Sequence, residues 1–257
     1  MHYPLLLNIL LGLTGLGLSP LASSATVHIA VASNFSNTIK SLITPFEKQS
    51  GNSVIASYGS SGQLYAQIRN GAPYEVFLSA DQLRPNLLIQ DGYADSSNGF
   101  IYAQGQIVLW SPNKTNHLNK QTLISERRDG LLAIANPKHA PYGSAAIQIL
   151  KQLNVYQAWK KRLITGQNIA QTQQFIASKN VSFGFICYSQ VAALPPDEQG
   201  AYWLVPTHYY KPLLQQLVIL KKGQHNPAAL RFIKFLKSPQ AQAIILRHGY
   251  LPGPMPP

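Results

Sequence analysis

Short apolar runs of strand length alternate with helical patterns along this chain, and the joints between them are small, hydroxyl or glycine residues. Residues 27–32 read as a strand. From Ser36, Ile39, Leu42, Ile43 and Phe46 recur at helical spacing until Gly51 closes the pattern. Pro45 lies inside that helix and is expected to kink or shorten it. A strand over 54–57 follows, then a helix from Ser61 with Leu64, Tyr65 and Ile68 on one face and Asn70-Gly71 as its stop. A strand over 76–78 leads to a helix through Leu83, Leu87 and Leu88 that ends at Gly92. Residues 107–110 and 131–135 read as buried strands. Pro141-Tyr142-Gly143-Ser144 opens a helix carrying Ile147, Leu150 and Leu153. Asn168 caps another helix over 169–178, and 183–187 is again a strand. Asn226-Pro227 and Ser238-Pro239 are cap-and-proline pairs that open two terminal helices. Such alternation predicts an α/β fold of mostly parallel sheets with helices on both faces.

Ahead of this pattern, residues 5–21 are apolar and uncharged, broken by Gly12, Gly15, Gly17 and Pro20 and ending in Ala22-Ser23-Ser24-Ala25. A short, Gly/Pro-broken apolar stretch before small residues reads as an export signal, so residues 1–25 are expected to be a cleaved signal peptide and the mature chain periplasmic. The n-region holds His2 and neither Lys nor Arg. No Cys stands at the cleavage site, and no lipid anchor is indicated there. About 230 residues remain, enough for one large α/β unit or two modest lobes. An apolar fraction of 46% supplies a full core, which burial alone must hold: the single cysteine, Cys187, has no partner for an internal disulfide. Flanked by apolar residues and Tyr188, it reads as a buried small hydrophobe. The net charge of +12 is scattered, with only short pairs such as Arg127-Arg128 and Lys221-Lys222. It draws anions to the surface in general but shows no nucleic-acid motif.

Four helix openings stand out: Ser33-Asn34, Ser61, Tyr142-Gly143 and Asn168-Ile169. A helix start offers unpaired backbone N–H groups and the positive end of the helix dipole, which together hold oxyanions. In α/β folds such starts converge beyond the carboxyl ends of strands. Plain N-capping is the simpler role for Ser33 and Ser61, and a turn residue after Pro141 the simpler role for Tyr142. Enzyme chemistry finds little support. Gly59-Ser60-Ser61-Gly62-Gln63 misses the spacing of a hydrolase nucleophile elbow. The seven histidines show no metal-ligand spacing, and there is neither a Walker loop nor a dinucleotide-binding glycine motif.

A set of segments nonetheless resembles the periplasmic molybdate-binding proteins of ABC transporters. It comprises Ala30-Val31-Ala32-Ser33-Asn34-Phe35, Tyr58-Gly59-Ser60-Ser61-Gly62, Gly71-Ala72-Pro73 with Phe77-Leu78-Ser79-Ala80-Asp81, Asn136-Pro137 with Pro141-Tyr142-Gly143, Gly184-Phe185 with Ser189-Gln190-Val191, and Ser238-Pro239-Gln240-Ala241-Gln242 with Gly249-Tyr250. The resemblance implies a two-lobed, type II-like binding protein hinged by crossover strands near Gly105 and Leu214. Residues 26–105 plus 215–257 would form one lobe and 106–214 the other. It implies one molybdate or tungstate held by Ser33, Asn34, Ser61, Tyr142 and Ile169, with hydroxyl and backbone donors from the first lobe and backbone N–H groups of Tyr142 and Ile169 from the second. A tyrosine hydroxyl that reaches the anion in some members aligns with Cys187 here. The resemblance further implies a monomer without cofactor or free metal ion that hands its anion to a membrane permease. A receptor for sulfate or phosphate on the same fold is the nearest alternative, and a secreted hydrolase a more distant one.

Overall fold

The computed structural model describes residues 24–125 and 130–254. The expected signal peptide therefore lies outside the described residues except for Ser24 and Ala25, and so does the Arg127-Arg128 pair.

Along the chain run β1 (Thr26–Ala32), a 3₁₀ turn (Ser33–Phe35), α1 (Ser36–Ser50), β2 (Ser53–Gly59), α2 (Ser61–Arg69), β3 (Val76–Leu78), α3 (Leu83–Gln90) and β4 (Ala94–Gly105). After Gln106 the chain enters β5 (Ile107–Ser111), α4 (Lys120–Ile124), β6 (Leu132–Ala135), α5 (Pro141–Gln152), α6 (Tyr156–Trp159), β7 (Leu163–Gly166), α7 (Ile169–Ala177), β8 (Phe183–Cys187), α8 (Tyr188–Ala192) and β9 (Ala201–Leu204). It returns through β10 (Leu213–Leu220), α9 (Pro227–Leu236) and α10 (Pro239–Arg247).

The strands form two five-stranded sheets, ordered β2-β1-β3-β10-β4 and β7-β6-β8-β5-β9. The chain passes from one sheet to the other at Gln106 and returns in the segment 205–212. The second crossing expected near Leu214 falls inside β10, which already pairs with β4 at Leu213. Each sheet is parallel across three strands, where β-α connections return the chain in the same direction. The strands nearest the crossings, β4 and β10 in one sheet and β5 and β9 in the other, pair antiparallel.

The period-2 geometry of the strands explains the continuous apolar runs. In β1, Val27, Ile29 and Val31 join Phe35, Ile39, Leu42 and Phe46 of the α1 side and Phe232 and Ile245 of the terminal helices. Ala30 faces the opposite way, toward Leu64, Ile68, Phe77 and Leu88. The second sheet repeats this plan: Ile107, Leu109, Leu132 and Ile134 pack under α5, whereas Val108, Trp110, Ala133 and Ile186 face α7. Pro45 does not shorten α1, which continues through it to Ser50, and Gly51 closes the helix in the left-handed region (φ 66°).

Candidate functional site

All four helix openings meet at one place between the sheets. A small, nearly filled cavity is lined there by Ala32, Ser33, Asn34, Ser60, Ser61 and Ala80 from the side of the first sheet, and by Ala140, Pro141, Tyr142 and Ile169 from the side of the second. The five residues expected at a binding site, Ser33, Asn34, Ser61, Tyr142 and Ile169, are thus brought together. Among the described residues, no charged side chain lines the cavity. What it offers is backbone and hydroxyl.

The hydrogen bonds at each helix start decide which donors remain. At α2 the cap is Ser60, not Ser61: Ser60 Oγ accepts from Gln63 N–H (3.3 Å), and the Gln63 side chain returns a bond to the Ser60 backbone N–H (3.1 Å). Gly62 N–H donates to His139 O (2.8 Å), across to the segment that leads into α5. Only the Ser61 N–H is left over. At α5 the first residue, Pro141, has no N–H, while Gly143 and Ser144 both donate to Ala140 O (3.0 and 3.1 Å). Tyr142 N–H remains. At α7 Asn168 Oδ1 takes the N–H groups of Ala170 and Gln171 (3.0 and 3.1 Å) and Thr172 N–H donates to Asn168 O (3.1 Å), which leaves Ile169 N–H. Each helix start has several amides without an intrahelical partner. In these three the protein satisfies all but the one on a cavity-lining residue.

The hydroxyls behave differently from one another. Ser61 Oγ accepts from Ala80 N–H (2.9 Å), so its own proton is free to be donated. Ser33 does not cap its 3₁₀ turn, and its hydroxyl has no partner among the described residues. Asn34 commits its side chain elsewhere. Its side-chain amide donates to Gln215 Oε1 (2.9 Å) and Tyr250 Oη (3.1 Å), so the group it can present to the cavity is its backbone N–H.

Behind Asn34 lies a buried polar network that joins both sheets. Tyr250 Oη and Ser189 Oγ both donate to Asn34 O (2.8 and 3.1 Å). Cys187, at the end of β8, donates its thiol to Gln190 Oε1 (3.0 Å). Neither Cys187 nor Tyr188 lines the cavity. Sequence pattern alone assigns no role to Ser189, Gln215 or Tyr250. Gln215 sits in a strand whose Gln215-Gln216 pair breaks the apolar run, and a glutamine at a core-facing strand position was the available signal.

Desolvation sets the protonation states here. Burial holds Tyr102, Tyr142 and Tyr250 hydroxyls well above the usual tyrosine range, so they stay neutral. Burial also pushes the Cys187 thiol from 9.0 up to about 12. The unfolded chain then loses the Cys187 proton at a lower pH than the folded chain does. The stability linked to this group is complete below about pH 9 and is lost as pH rises toward about 12. Cys187→Ser should therefore flatten the fall of Tm between pH 8.5 and 10.5 relative to the unaltered protein. Parallel Tm curves in calorimetry would show that the thiol is not the group being titrated.

Known proteins resemble this chain along nearly its whole described length. The model of the bacterial extracellular solute-binding protein family matches residues 27–251. The molybdate-binding protein ModA of Rhodobacter capsulatus is 41% identical over 236 residues, covering 92% of each chain. That of Azotobacter vinelandii is 43% identical over 230 residues, covering 89% of this chain and 91% of its own. The solved periplasmic molybdate-binding protein of Azotobacter vinelandii superposes with a TM-score of 0.81 at 37% identity, over 90% of this chain and all of that one. The chain belongs to the bacterial extracellular solute-binding proteins and, among them, to the family of the molybdate-binding proteins.

Proposed function

We propose that this protein captures molybdate or tungstate in the cavity between its two sheets and delivers it to an ABC permease. The observation that carries the reading is the set of leftover donors. Ser61, Tyr142 and Ile169 each keep one unpaired helix-start N–H on a cavity-lining residue, Ser33 and Ser61 add hydroxyl protons, and the Asn34 N–H joins them. A dianion taken out of water needs several directed donors to offset its lost hydration. Neutral donors, with no arginine or lysine at the cavity, suit an anion that must be released again. They also favour a fully deprotonated anion over phosphate, which carries a proton at neutral pH that a donor site has no means of accepting.

Residues 26–105 with 213–254, and residues 106–212, act as two lobes in this reading, hinged at Gln106 and the segment 205–212. Donors from both reach the anion only when the cleft is shut, so the ligand shifts the hinged equilibrium toward the closed form, which the permease recognises. The chain is exported by its leader, works as a monomer in the periplasm, needs no cofactor and catalyses no reaction. Titration calorimetry on the mature protein tests the proposal: one molybdate or tungstate bound per chain, with sulfate and phosphate at least about a hundredfold weaker, close to 3 kcal/mol. Equal affinity for sulfate would transfer the protein to the sulfate receptors.

A further inference from the structure

The cavity-lining donors leave one buried amide without a purpose. Gln215 is fully buried in β10, and its neighbours Leu217, Val218 and Ile219 are core aliphatics. Its Oε1 accepts from Asn34 Nδ2 (2.9 Å) and from Tyr102 Oη (3.0 Å), and its Nε2 donates to Tyr142 Oη (3.2 Å). Asn34 follows β1 of the first sheet; Tyr142 opens α5 over the second. A single side chain thus ties together two residues that line the cavity from opposite sides. Gly105 supports the same reading independently. It is the last residue of β4, where the chain leaves the first sheet, and a Cβ there would run into Tyr142 Oη and lie 2.7 Å from Gln215 Nε2. The crossing is kept bare for this bridge.

We propose that Gln215 is a positioning residue for the oxyanion site, holding Asn34 and Tyr142 in register so that their backbone N–H groups converge on one ligand. The inference rests on the reading of the cavity as an oxyanion site. An amide suits the task because it accepts on one side and donates on the other while bringing no charge. Asn34 Nδ2 can only donate, so the atom facing it is the oxygen, and Nε2 is left for Tyr142. A carboxylate of the same shape would accept from Asn34 equally well but would place a negative charge behind a site for a dianion.

Gln215→Leu, Gln215→Glu, Tyr142→Phe and the Gln215→Leu/Tyr142→Phe double variant test this, with molybdate as ligand and the ligand-free Tm measured alongside. Gln215→Leu should weaken molybdate binding roughly ten- to a hundredfold, mainly through faster dissociation in stopped flow. In the Tyr142→Phe background the same change should cost clearly less, because the bridge is already broken there. Gln215→Glu should fold and bind, with an affinity that falls as pH rises through its carboxyl titration. The unaltered protein should stay flat over that range: the titratable groups around the position, Tyr102 on β4, Tyr142 on α5, Tyr250 after α10 and Cys187 on β8, all keep their protons. Asp81, the other charge in reach through Tyr102, is common to both proteins. Unchanged affinity and dissociation rate in Gln215→Leu would overturn the proposal. So would strictly additive effects with Tyr142→Phe combined with a pH-independent Gln215→Glu. Failure of the unaltered protein to take up any oxyanion would instead remove the reading on which the bridge depends, and the bridge with it.

Discussion

Gly62→Ala should lower molybdate affinity about ten- to a hundredfold while leaving the ligand-free protein as stable as before, or slightly more so. Gly62 is in the first turn of α2 and its N–H donates to His139 O at 2.8 Å. A Cβ at this position would lie 2.9 Å from His139 Cα, 3.0 Å from His139 O and 3.2 Å from His139 Cβ. The atoms it meets belong mostly to backbone, which has little room to yield. His139 is followed directly by Ala140-Pro141-Tyr142, so pushing it back shifts the Tyr142 N–H away from the ligand. Overpacking of this kind costs roughly 1–3 kcal/mol, which is about one to two decades in affinity. If the two lobes hinge as proposed, the cost falls on the closed form alone. In the open form of that hinge the two segments would separate, and alanine is a better helix former than glycine by at most ~1 kcal/mol. The two measurements should therefore move in opposite directions. If the ligand-free Tm drops by as much as the affinity does, α2 and the His139 segment stay in contact at all times, and no hinge opens between them.

The alternation of strands and helices was legible because its signals are local. Gly51 stops α1 with a positive φ, Asn168 caps α7, and Pro141 opens α5, each through chemistry confined to a few residues. The four helix openings that meet at the cavity were legible from the same signals, since a helix start is a local motif. Assignments between neighbours were harder. Ser60 and Ser61 are indistinguishable as cap candidates on paper, and only the bond from Ala80 N–H to Ser61 Oγ separates a capping serine from a cavity serine. For Asn34 the sequence leaves open whether side chain or backbone faces the cavity. Its side-chain amide is committed to Gln215 and Tyr250, partners 181 and 216 residues away. The long strands β4 and β10 escaped for a related reason: Ser96, Ser97 and Asn98 in one and Gln215-Gln216 in the other interrupt the apolar pattern. In β10 the two glutamines are tolerated because they serve contacts between distant parts of the chain, Gln215 with Asn34, Tyr102 and Tyr142 and Gln216 with Asn86, which no local window contains.

Ile169→Pro should weaken oxyanion binding by about one to two decades with little change in the fold. Tyr142→Pro removes a cavity amide as well, but the Tyr142 ring is fully buried and its hydroxyl accepts from Gln215, so truncation there costs several kcal/mol of core packing, roughly 3–5 by analogy with other large aromatics. Ile169 is the cleaner position. It is the first residue of α7, where proline fits the helix and its missing N–H breaks no intrahelical bond. Asn168 before it is extended, at φ −148° and ψ 175°, a conformation that a following proline permits. The cap bonds from Asn168 to Ala170 and Gln171 stay, as does the bond from Gln190 Nε2 to Ile169 O. What disappears is the one unpaired N–H of α7 at the cavity, worth about 1.5–3 kcal/mol if it donates to a charged ligand. Ile169→Val is the matched control: it trims the buried side chain at a stability cost of about 0.5–1.5 kcal/mol and keeps the amide. Calorimetric titration of both with molybdate separates backbone from side chain. Proline should lose affinity and valine should keep it. If the two variants bind alike, the α7 amide is not a ligand donor, and the second sheet would hold the anion through Tyr142 alone.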